Sequence, residues 1–130
     1  MKGTRVIVTF ADRALSYLGS VYFDVATAKE VVGCCEKQDC AVLAMEGFLI
    51  ENETITALAD AMADFSDAVE LQWEQRKEVC NQAALKLLEE WEKCPSNFKV
   101  ELDVVSNEEW SERLEQVRHA NLKIEDLSGE

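Results

Sequence analysis

The sequence predicts an α+β fold, one small mixed β-sheet of about four strands with helices packed mainly on one face. Three observations lead there. β-branched, apolar or alternating runs at 5–10, 20–25, 41–51 and 98–104 are separated by segments whose apolar residues recur at three- and four-residue steps. Thr27 and Ser106 each stand three residues before a glutamate, Glu30 and Glu109, the capping-box spacing in which the two residues satisfy each other's orphan N–H groups at a helix start. Hydrophobic residues make up 48% of the 130 and charged residues 30%, a balance that folds. Pro95 is the one proline and no linker-like tract appears, which predicts a single domain over 1–120 and a loosely ordered tail over 121–130.

The elements follow in order. Residues 5–10 are β-branched and aromatic with apolar side chains on both faces, predicting an interior strand. Residues 20–25 read as a second strand, hairpinned with the first. The Thr27 capping box opens a short helix running to about Lys37. Residues 41–51 form the longest mainly apolar segment and predict a central strand, with Gly47 marking a bulge or turn. From Thr54 to Phe65, the spacing of Ile55, Leu58, Met62 and Phe65 predicts an amphipathic helix. A longer helix is expected over 68–93, with Val69, Trp73, Cys80, Ala84, Leu87, Leu88 and Trp91 inward and Pro95 beyond its end. Residues 98–104 alternate apolar and polar strictly, the pattern of a strand with one wet face. The Ser106 box opens a last helix with Trp110, Leu114 and Val117 buried and a Glu109–Arg113 pair one turn apart.

Charge narrows the function classes. Asp and Glu number 26 against 13 Lys and Arg, a formal net charge of −13. Such a field repels phosphate backbones and anionic lipid, so direct binding to nucleic acid or a membrane is disfavoured, while a basic protein is steered in. The amino-terminal residues lack the apolar stretch of a secretory signal, and no apolar run reaches membrane-spanning length. Cytoplasmic residence is the expectation. Five cysteines, Cys34, Cys35, Cys40, Cys80 and Cys94, form an odd set without framework spacing, which fits free thiols in a reducing compartment.

Candidate chemistry is sparse. His119, the one histidine, stands near the end of the last helix four residues after Glu115, where an imidazolium meets a carboxylate and the helix C-terminus. Cys34, Cys35 and Cys40 lie close together in sequence, but adjacent helical positions point about 100° apart and a closed zinc site needs a distant fourth ligand. Buried thiols acting as small hydrophobes are the plainer account, with Cys35 and Cys80 in the core and Cys34 or Cys40 within reach of oxidants. No glycine-rich phosphate loop, nucleophile elbow or zinc-protease motif occurs. The expectation is a non-enzymatic protein with no metal or cofactor.

The acidic residues supply a site instead. On a helix beginning at Thr54, Asp60, Asp64 and Asp67 share one sector opposite the apolar stripe, and Glu53 extends it. Like charges on one face repel each other, a cost that a basic partner relieves. A solvated face in an acidic protein is the plainer reading of the same carboxylates.

Residues 41–67, through Met45-Glu46-Gly47-Phe48 and Ala63-Asp64-Phe65-Ser66-Asp67, resemble small acidic α+β immunity proteins encoded beside bacterial toxins. The resemblance covers about a fifth of the chain and implies tight neutralisation of one cognate toxin, often a nuclease, by occlusion of its basic surface. It carries no individual residue across. The alternatives are a structural or adaptor subunit, or a homo-oligomer, using Trp73, Trp91 or Trp110 at an interface, and a thiol-redox or zinc protein.

Overall fold

In a computed structural model of the chain, the described residues are 2–66 and 71–116. The fold is α+β. Its centre is the long strand β3, Cys40–Glu51, whose apolar side chains on both faces require cover above and below. Before β3 come helix α1 (Lys2–Thr9), a 3-10 turn (Ala11–Arg13), strands β1 (Leu15–Tyr17) and β2 (Ser20–Tyr22), and helix α2 (Val25–Lys37). After it come β4 (Thr54–Asp64), α3 (Trp73–Trp91), β5 (Phe98–Ser106) and a helix α4 over 107–116.

The main sheet has the order β4-β3-β5, and β1 and β2 form a separate hairpin. Every strand pairing is antiparallel, where a mixed sheet was expected. Phe23 ties the hairpin to the sheet: its N–H donates to the Val100 carbonyl (2.8 Å) and its carbonyl accepts from Val100 N–H (2.7 Å). The hairpin end therefore abuts the outer edge of β5.

The core lies on one face of the sheet. Phe98, Val100, Leu102 and Val104 of β5 pack there with Val42 and Met45 of β3 against Val31, Val32 and Cys35 of α2 and Ala84, Leu88 and Trp91 of α3. A second cluster, Ala41, Leu43, Cys80, Val105 and Trp110, closes one end of the sheet. Arg76 is fully buried beside it, with its guanidinium 4.1 Å from the centroid of the Trp110 ring, a cation–π contact. Buried Asn81 joins α3 to the start of β3. Its Oδ1 accepts from Val42 N–H (2.9 Å), and its Nδ2 donates to the Cys40 carbonyl (3.0 Å) and Glu36 Oε1 (2.8 Å). It stands in for a neighbouring strand where β4 has already ended, and so meets the demand of buried backbone groups for partners.

Several expectations change. Of residues 5–10, 5–9 belong to helix α1 and Phe10 to the turn after it, and none to a strand. The relevant period is helical: Gly3 and Val6 are buried, and Ile7 and Phe10 pack on the core. Tertiary contacts override the β preference of Val and Ile, because Gly3 N–H donates to Glu109 Oε1 (2.8 Å) across the molecule and anchors an orphan helix donor. A Cβ at Gly3 would come within 2.2 Å of the Val104 carbonyl oxygen. Accordingly, β1 and not 5–10 is the hairpin partner of β2.

The predicted helix over 54–65 is strand β4. Asn52 and Glu53 both take positive φ (45° and 69°) between Glu51 and its ladder partner Thr54, the two-residue turn that suits a twisted hairpin. An Asn-Glu pair lacks the glycine that usually advertises such a turn. Gly47 does mark a bulge: β4 faces Glu46 with Met62 but Phe48 with Ala57. A Cβ at Gly47 would stand 2.6 Å from Ala61 Cβ, so Gly47 makes room for Ala61 to enter the core.

Other shifts are smaller. Asp24 caps α2, its Oδ1 accepting from Thr27 N–H (2.7 Å), so Thr27 sits inside the first turn. The Ser106 box is formed, with reciprocal bonds of 3.2 Å between Ser106 and Glu109. Arg113 turns from Glu109 to Asp103. Helix α3 begins at Trp73. Val69, Val117, His119 and the tail over 121–130 lie outside the described residues.

Candidate functional site

The sheet face opposite α2 and α3 gathers carboxylates. Strand alternation turns Lys99, Glu101 and Asp103 of β5 away from the core. In the ladders, Glu46 faces Glu101 on one side and Met62 on the other, and Ala44 faces Asp103 and Asp64. Glu46, Asp64, Glu101 and Asp103 thereby line one shallow, open depression of about 550 Å³ together with Met62. Met62 is 61% exposed and gives this acidic floor an apolar contact point. Beyond it, the Tyr22 ring packs edge-on against Phe48 at 5.1 Å.

The neutralising groups are few. Arg113 of α4 grips Asp103 with both guanidinium arms, Nη1 to Oδ2 at 2.8 Å and Nη2 to Oδ1 at 3.1 Å, and that carboxylate raises the arginine's own pKa. Lys99 turns its ammonium to the Ser96 carbonyl (3.3 Å). Asp64 accepts from the Ser66 hydroxyl and from Ser66 N–H (2.8 Å), and these bonds hold its carboxyl below the ordinary value.

The carboxylates singled out from a helical face are dispersed along a strand. Glu53 lies in the β3–β4 turn, Asp60 is exposed within the bulge, and Asp64 ends β4. The seven residue steps along β3 from Ala44, the partner of Asp64, to Glu51, the partner of Thr54, put the two ends about 23 Å apart at a strand rise of about 3.3 Å. Asp64 alone of the four joins the depression. Asp67 lies outside the described residues. Sequence reasoning passed over Glu46, Glu101 and Asp103, although the alternation of β5 marked its wet face and Glu46 is the one charge between Cys40 and Ile50.

The thiols are structural in character. Cys35, Cys40 and Cys80 are buried, Cys34 and Cys94 half-buried, and all are free. Burial is the main force raising the Cys35, Cys40 and Cys80 thiols above their ordinary value, which disfavours thiolate. Cys40 is thus in the core and not at the surface. Among the described residues, no three His, Cys, Asp or Glu side chains are arranged to hold a metal ion. Trp91 and Trp110 are buried, and half-buried Trp73 donates its Nε1–H to Asp39 (2.9 Å), so these rings serve the core.

Among the described residues no helix is long and apolar enough to cross a membrane. No protein-family model matches the chain, and no curated protein or solved structure is similar to it at a significant level.

Proposed function

We propose that the chain is a non-enzymatic binding protein that sets its open sheet face against a basic protein surface, acting as an immunity protein that neutralises a cognate bacterial toxin. The observation that carries this reading is Glu46 facing Glu101 across the ladder, with Asp64 and Asp103 in the next row. Like charges placed directly opposite one another in a sheet are destabilising. Asp103 is paired with Arg113 and Asp64 with Ser66, but the Glu46–Glu101 pairing opposes folding, whereas a cationic partner converts its repulsion into attraction.

Carboxylates about 5 Å apart across strands and about 7 Å apart along one strand make a dense patch of negative charge. Such a patch competes with phosphates for a basic groove, which favours a nuclease as the toxin. The net charge of −13 speeds encounter, and exposed Met62 offers the apolar contact that slows release.

The test is capture from a lysate of the source cells on the immobilised protein, with wild type and a Glu46→Lys/Glu101→Lys variant run side by side. One basic protein retained in stoichiometric amount by the wild type and lost by the variant is the expected result. Equal retention by both, or none by either, overturns the reading.

A further inference from the structure

The two edges of the main sheet are treated differently. The outer edge of β5 is closed, by the Phe23–Val100 bonds and by α1, whose Gly3 lies against the Val104 carbonyl. Strand β4 is the other edge, and among the described residues β3 alone pairs with it.

Ile50 N–H donates to the Asn97 carbonyl (3.0 Å), so Ile50 turns its backbone toward the β5 side. Its ladder partner Ile55 must then point N–H and C=O away from β3, because directly opposed antiparallel residues alternate between bonded and non-bonded pairs. Ala57, two residues on, does the same. At the far end Phe65 N–H donates to the Leu43 carbonyl (2.7 Å), which leaves Asp64 and Met62 pointing outward. The edge therefore offers two short rows of donors and acceptors, separated by the bulge over 58–61.

Natural edges are usually blunted by lysine, proline or a covering element. Among the described residues, the devices of this kind on β4 are the bulge and the acidic side chains of Asp60 and Asp64. No Lys, Arg or Pro occurs anywhere between Lys37 and Arg76, so the whole β3–β4 hairpin is without a cation.

We propose that β4 is a docking edge for an extended, Lys- or Arg-bearing segment of the partner protein, which joins the sheet as a new strand beside β4. Charge selects this occupant. Asp60 and Asp64 lie along the strand, Glu53 in the turn before it and Glu46 behind it; a second copy would bring the same carboxylates against themselves, whereas a basic strand meets them with opposite charge. Main-chain bonds then supply affinity and alternate cationic side chains supply selectivity. The inference rests on the reading of the chain as a binder of basic proteins, and adds the main-chain mode of recognition.

The experiment titrates the full chain with a ten-residue peptide alternating Lys and Val, and with the same peptide N-methylated at alternate residues. Binding of the first peptide is expected, weakened about tenfold or more by N-methylation, since charge is kept while main-chain donors are lost. Ala57→Pro removes an outward N–H without touching the β3 ladder and should weaken binding to a similar extent, while Ala57→Val should not. Binding indifferent to N-methylation and to Ala57→Pro but lost in Glu46→Gln/Glu101→Gln would overturn the edge inference and leave the acidic-face reading standing. N-methyl-sensitive binding that ignores Glu46→Gln/Glu101→Gln would do the reverse. No binding of the first peptide, or a dimer in sedimentation that Ala57→Pro dissociates, would also overturn the edge inference, the latter by making a second copy the occupant.

Discussion

On the face covered by α2 and α3, β5 sets Phe98, Val100, Leu102 and Val104 among apolar side chains, and the polar Asn81 that reaches in is bonded to Val42, Cys40 and Glu36. On the other face the same strand sets Glu101 opposite Glu46, with Asp103 and Asp64 in the adjoining row. The first arrangement is what burial demands. In the second, the Glu46–Glu101 pairing is one that folding would avoid, and it lies on the face where the partner surface is proposed.

Substitutions on the two faces should therefore move stability in opposite directions. Leu88→Ala, which empties a fully buried position in the core, should cost about 2–5 kcal/mol, read as a fall in the urea midpoint. Asn81→Ala leaves the Val42 N–H and Cys40 carbonyl without this partner and should cost about 1–3 kcal/mol by the same measurement. Glu46→Gln on the open face should be neutral or stabilising by about 0.2–1 kcal/mol. A large loss there would erase the distinction between the faces.

Glu109 sharpens the comparison through pH. Burial pushes its carboxyl up, but bonds from Gly3 N–H, Ser106 N–H and the Ser106 hydroxyl outweigh burial and hold it below its ordinary 4.5. The folded state thus binds fewer protons than the unfolded chain, and the stabilisation is present above about pH 4.5 and lost as pH falls through the folded value. The urea midpoint of the wild type should drop between pH 6 and pH 3, and that of Glu109→Gln should drop less.

How far the sequence could be read follows the same division. Where one face is buried and the other wet, the period is clean, and β5, the end of α2 and the Ser106 capping box were legible. Gly47 likewise announced its bulge. The failures fall where context decides. Residues 3–10 show helical spacing at Gly3, Val6, Ile7 and Phe10, but the β-branched composition of 5–10 hid it until Glu109 and Val104 supplied the contacts. β4 is alanine-rich and mostly exposed, so it has no inward stripe to declare a period of two, and its turn lacks glycine. That misreading placed Asp60, Asp64 and Asp67 on one helical sector, with Glu53 extending it from just before the helix. The carboxylates that do come together are brought there by strand register, which a single chain of letters does not reveal.

The most direct measurement is thermal melting at low salt with and without oligolysine, for the wild type and for Glu46→Gln/Glu101→Gln. A ligand that binds only the folded state raises its melting temperature. The account predicts that the variant starts higher, because the repulsion is gone, and that oligolysine raises the wild type more than the variant. A variant that starts no higher and rises by the same amount would show that these carboxylates are neither a burden to the fold nor a site for a basic partner.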